Sequence, residues 1–151
     1  MRRSEKEIRD PDQIDAILQA AEVCRVAFSD EGQPYIVPLC FGYEPGRLYF
    51  HSAPEGRKIE ILKRNPRCCF EVELGVEAVR AELPCTWWMR YQSVIGEGVA
   101  TLIADPREKR HGLGVIVRHY SGDPDRIPDA APGKVAVVRI DITKMTGKNG
   151  F

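Results

Sequence analysis

From Cys85 to Ile103 the chain carries a strand-like run, rich in aromatic and β-branched residues, that is too long to lie flat in one sheet without distortion. Gly96 and Gly98 sit where such a run can bend. A barrel has to curve and needs glycines of this kind, and so does the close approach of a ligand or of another chain. A sheet that curves along one long strand must be fed by shorter ones, and these come before it.

Val23–Phe28, then Asp30-Glu31-Gly32, reads as a strand and a hairpin turn. The returning strand, Tyr35–Tyr43, alternates Tyr35, Val37, Leu39 and Phe41 against Ile36, Pro38 and Cys40. Pro38 has no N–H to give to a ladder, so this position marks a bulge, an edge, or backbone that faces a ligand. Pro45-Gly46 suits the centre of a type II turn into Arg47–Phe50. Arg67–Glu73 and Lys134–Thr143 supply further strands, and Leu74–Pro84 reads as a loop or short irregular excursion.

Three helices interleave with the strands. Asp10-Pro11-Asp12-Gln13 and Asp105-Pro106-Arg107-Glu108 each set an N-cap, a proline at the first helical position and a capping-box partner. Ile14, Ile17, Leu18 and Ala21 form the apolar stripe of the first helix. The third runs toward His119-Tyr120, and Gly112 and Gly114 inside it are either close-packing positions or a break. The middle helix begins near Gly56 and ends at Asn65, before Pro66. The expected fold is α+β, mainly β: a six-stranded antiparallel barrel with helices around it.

Tyr49–Leu62 is the candidate site. A strand end, a tight turn and a helix start bring His51, Ser52, Arg57 and Lys58 toward unpaired backbone N–H groups, a chemistry suited to phosphate. Arg57 and Lys58 would oppose the positive end of the helix dipole unless an anion sat there. His51 points away from Phe50 and is either a structural or a chemical histidine. Trp87, Trp88 and Tyr91 can stack on a planar ring, pack in the core or fill a subunit interface. There is no Walker loop, nucleophile elbow or dinucleotide fingerprint, and His111 and His119 lack the spacing of a helical zinc motif, so no metal is assigned.

Composition narrows the classes further. The 151 residues fit one domain, and equal counts of 22 basic and 22 acidic residues leave no global field for nucleic acid. No apolar run reaches the roughly 20 residues of a membrane helix, and the charged N-terminus, unlike a secretory signal, implies a cytoplasmic protein. Five cysteines without Cys-x-x-Cys spacing support neither a disulfide framework nor a zinc site. Cys24, Cys68 and Cys69 read as small core residues, while Cys40 and Cys85 have no assigned role.

Taken in order, Val23–Ala27, Pro34–Leu39 with Phe41–Tyr43, Leu48–Ala53 with Gly56–Lys58, Tyr91–Gly98 and Met145–Lys148 carry a resemblance over nearly the whole chain. The sequence resembles the flavin-binding split-barrel superfamily typified by pyridoxamine 5′-phosphate oxidase, and within it the branch named for 5-nitroimidazole resistance proteins. The resemblance implies a split β-barrel and a homodimer holding FMN between its subunits. Ser52, Arg57 and Lys58 would hold the phosphate. The backbone of Pro38, Leu39, Cys40 and Phe41 would run along the isoalloxazine ring, where the family often has asparagine at the position of Cys40. Gln92 and Ser93 would reach the flavin from the partner, and Trp87 and Trp88 would sit near that interface. His51 would lie beside the ring and is the catalytic candidate. The activity implied is an FMN-dependent reductase of nitro compounds such as 5-nitroimidazoles or a related small-molecule acceptor. The alternative is a flavin or haem protein serving storage or sensing without turnover. Pyridoxamine phosphate oxidation itself is disfavoured by the short chain and the lack of a second basic cluster.

Overall fold

A computed structural model describes residues 4–151. In chain order the elements are β1 (Glu7–Ile8), α1 (Pro11–Ala20), β2 (Cys24–Asp30), β3 (Gln33–Leu39), β4 (Phe41–Glu44), β5 (Arg47–Ser52), α2 (Arg57–Arg64), β6 (Arg67–Val79), β7 (Trp88–Leu102), α3 (Pro106–His119), α4 (Ala131–Lys134) and β8 (Ala136–Asn149). All strand pairs are antiparallel, in the order β3-β2-β6-β7-β8-β5-β4, with β1 on β8. The expected fold class holds, with eight strands among the described residues rather than six. One extra strand is the two-residue β1, and the other arises because Tyr35–Tyr43 is two strands.

That division defines the architecture. β3 pairs only with β2 and β4 only with β5, so they lie at opposite ends of the sheet path although Cys40 alone separates them in sequence. The sheet therefore wraps round until its two edges meet at one residue, without a ladder of hydrogen bonds to close it. Pro38 keeps register opposite Arg25 in the edge strand, so it marks an edge and not a bulge.

The local signals were placed as chemistry required. Asp10 and Asp105 accept hydrogen bonds from Asp12 N and from Arg107 N and Glu108 N at their helix starts. The box partners serve elsewhere: Gln13 Nε2 donates to the Asp10 carboxylate, and Glu108 pairs with Arg139. α3 runs unbroken through Gly112, where a Cβ would lie 2.8 Å from the Tyr49 ring, so this glycine is a close-packing position. β6 extends to Val79 and pairs with β7 from Trp88, against the expected loop over Leu74–Pro84. A register shift between Leu74 and Glu77 breaks the period-two pattern there. Likewise β8 continues to Asn149, beyond the expected Thr143. β7 bends where expected, with a register shift against β8 between Glu97 and Gly98.

Two apolar cores result. Phe28, Phe41, Phe50, Phe70 and Val72 fill the barrel interior, while Tyr49, Ile103, Leu113, Ile116 and Val137 join the outside of the sheet to α3. Alternation along β5 sends Phe50 to the first and Tyr49 to the second. The same alternation corrects one expectation: Cys24 and Cys68 are buried, but Cys69 points outward and is exposed.

Candidate functional site

α2 starts without a side-chain cap. Gly56 holds φ 122°, a region closed to other residues without strain, and its carbonyl accepts from Ile59 N at 2.9 Å and Glu60 N at 3.1 Å. Arg57 follows and reaches back to the β2–β3 hairpin. Its guanidinium lies 3.5 Å from Asp30 Oδ2 and 4.6 Å over the centre of the Tyr35 ring. Asp30 also pairs with Arg64 at 2.6 Å. Arg57 is thus anchored on the strand that carries Pro38 and Leu39, with part of its charge already answered. Lys58 is half-buried beside it, and Ser52 Oγ donates to Ala53 O at 2.7 Å.

The split at Cys40 is held by the end of α3. Tyr120 Oη accepts from Phe41 N at 3.1 Å and donates to Glu22 O at 2.7 Å, so one hydroxyl spans both lips. His119 Nε2 lies 2.7 Å from Ala21 O, and its ring packs 4.3 Å from that of Phe41. Burial pushes the Tyr120 hydroxyl above the usual tyrosine range, against the opposing pull of the Phe41 N–H, which keeps it protonated and able to donate. Phe41 is 1% exposed with its N–H already taken, so the surface this segment offers a ligand is Pro38, Leu39 and Cys40.

His51 goes elsewhere. It shares the Tyr49 side of β5, whereas Ser52 shares the Phe50 side, so the turn does not set the two side chains together. His51 stands at a cleft of about 530 Å³ between α3, the 123–131 segment and the start of β8, walled by Leu113, Val117, Ile127, Ala131 and Val135. The other histidines have protein partners: His111 Nε2 lies 3.0 Å from Glu44 Oε2, and His119 holds Ala21 O. His51 is exposed, and its side chain has no hydrogen-bond partner among the described residues.

Gln92 and Ser93 lie on β7, far along the sheet path from β3, and Ser93 is 8% exposed between Glu73 and Lys148 in register. Trp87 and Trp88 are exposed at the outer end of the β6–β7 hairpin, so core packing is not their use; Trp87 Nε1 donates to Ala81 O at 2.9 Å. The outward sheet face between β3 and β7 presents Ile36, Ile95 and Val99, all exposed. Among the described residues no group of three acidic, histidine or cysteine side chains is placed to hold a metal, and no helix is long and apolar enough to cross a membrane.

Tyr35, Asp30 and Tyr120 were not legible in the sequence. Their partners are distant along the chain, Phe41 to Tyr120 spanning 79 positions, and no local motif signals such a contact.

Comparison with known proteins settles the family. The model described as pyridoxamine 5′-phosphate oxidase matches residues 10–149. The chain belongs to this family. Within the pyridoxamine 5′-phosphate oxidase family it is 42% identical to a candidate 5-nitroimidazole antibiotic resistance protein from Bacteroides thetaiotaomicron, over 94% of this chain and 85% of that one, with a TM-score of 0.83. An FAD-binding protein from Mesorhizobium loti is 26% identical over 94% of this chain and 96% of that one, with a TM-score of 0.69. A flavocytochrome from Azotobacter vinelandii shares the fold at 24% identity and a TM-score of 0.82, covering 100% of this chain and 72% of that one. An uncharacterized protein from Rhizobium meliloti matches at 31% over 61 residues, 40% of this chain and 40% of that protein.

Proposed function

We propose that the protein is an FMN-binding oxidoreductase that reduces nitro compounds or a related small acceptor, working as a homodimer in the cytoplasm. The observation that carries the reading is the start of α2: an uncapped helix end on a positive-φ glycine, with Arg57 fastened to Tyr35 of the edge strand and Lys58 beside it. These residues fit a phosphate. A dianion there would meet backbone N–H groups and two cations, and the 42% identity to a candidate nitroimidazole resistance protein supports the reaction class. Pro38 and Leu39, on an edge strand that no strand pairs on the side away from β2, would with Cys40 offer backbone to the rest of the flavin.

The bound flavin would supply the electron-transfer chemistry, and the protein would supply position and polarity. Ser52, Arg57 and Lys58 hold the phosphate, and His51 orients or protonates the acceptor. The exposed Ile36, Ile95 and Val99 support a second copy on the outward sheet face, which would also bring Ser93, on that same face of β7, toward the flavin.

Titration of the purified chain with FMN, followed by absorbance, tests the reading. Stoichiometric flavin uptake is expected, with Arg57→Ala/Lys58→Ala weakening it at least about tenfold through lost charge-assisted hydrogen bonds. A Soret band, or no uptake at micromolar FMN, overturns the FMN reading, and the Soret band favours haem storage or sensing instead. Reoxidation of the reduced protein by a nitroimidazole should outpace the buffer rate, and His51→Ala should slow it with FMN still bound.

A further inference from the structure

The cleft beside His51 has walls unlike the rest of the candidate site. Leu113 and Val117 come from consecutive turns of α3, Ile127 and Ala131 from the 123–131 segment and Val135 from the approach to β8. Polar groups are confined to three: His51, Asp123 and Arg126. Asp123 accepts from Asp125 N at 3.0 Å, and with Arg126 it gives one charge of each sign. The setting is therefore close to electrically balanced and does not select for a strongly charged ligand. Its volume of about 530 Å³ lies within the roughly 300–1,000 Å³ of small-molecule pockets and exceeds what one five-membered ring fills.

We propose that this cleft binds an uncharged, flat aromatic molecule of about two fused rings, its body among Leu113, Val117 and Ile127 and a carbonyl or nitro oxygen accepting a hydrogen bond from His51. Two observations converge. An apolar recess is open to solvent, and the one histidine without a protein partner stands at it. Naming the occupant an electron acceptor rests on the flavin reading; its binding does not. The cleft favours larger nitroarenes and aromatic ketones over single-ring imidazoles.

The test uses 1-nitronaphthalene, which is unreactive toward the exposed thiols, added to the purified full-length chain with and without FMN. Methyl-resolved NMR should show shifts at Leu113, Val117 and Ile127. Val117→Trp, which fills the recess from a half-buried position, should weaken binding at least tenfold, and His51→Ala severalfold. FMN titration of Val117→Trp should be unchanged. Methyl shifts confined to other regions, or unaltered affinity in Val117→Trp with its fold intact by circular dichroism, overturn the proposal. Ile127→Trp offers a second filling of the cleft from outside α3 and must give the same loss. If FMN fails to bind while these shifts appear, the flavin reading falls and the cleft stands.

Discussion

Gly42 is where α3 comes nearest the sheet, and replacing it should be costly for a reason that can be worked from distances alone. A Cβ at this position would lie 2.6 Å from both Ile116 N and Val115 C and 2.7 Å from Ile116 Cα. Ordinary carbon contacts sit at about 3.5–4.0 Å, so the helix must retreat by roughly 1 Å. The atoms in the way are helix backbone, which cannot swing aside as a side-chain tip can. Overpacking of this kind costs about 1–3 kcal/mol and lies here at the upper end, against about 0.4–1 kcal/mol gained by stiffening the unfolded chain. The net loss in Gly42→Ala is about 2 kcal/mol, or roughly 4–8 °C in melting temperature for a chain of this length. Thermal unfolding followed by circular dichroism measures it, with Gly133→Ala as control, since a Cβ there meets nothing within 4 Å. A Gly42→Ala melting point within about 1 °C of the parent would refute the reasoning. Because α3 also carries Leu113 and Val117, the same variant should weaken binding in the His51 cleft.

Tyr120→Phe removes both bonds across the split and leaves Phe41 N and Glu22 O without their partner, for a loss of about 1–3 kcal/mol in urea unfolding; an unchanged midpoint would dismiss the clasp. Burial raises the Cys24 and Cys68 thiols to about 12, so at pH 8 a thiol reagent should leave both untouched until the chain unfolds, whereas Cys40 and Cys85 react in the native state. Cys69, exposed in the single chain, reports on the dimer: rapid labelling at concentrations where the protein sediments as a dimer would exclude the outward sheet face as the interface.

How far the sequence spoke depended on the range of the contact. Asp10 and Asp105 cap their helices through neighbours two and three positions on, so both starts were legible. Glu31 and Gly32 at positive φ, and Gly46 at φ 82°, were equally so, because turns are local. The split at Cys40 was not. Nothing near Cys40 records that Leu39 pairs with Cys24 while Phe41 pairs with Phe50. Leu74–Val79 was hidden for another reason: the register shift disguised a strand whose partner is itself exposed and aromatic. At the site, the glycine and the two cations were visible as a pattern, but the separation of His51 from Ser52 follows from what packs on each side of β5.

The single hydroxyl across the split has a further consequence for the time the barrel spends open. Phe41 N is protected by Tyr120 and by no sheet partner at that atom, so its hydrogen exchange reads the release of the end of α3 from the lips of the barrel. One amide thus becomes a clock for opening at the residue next to Cys40, and anything that braces that seam should slow it.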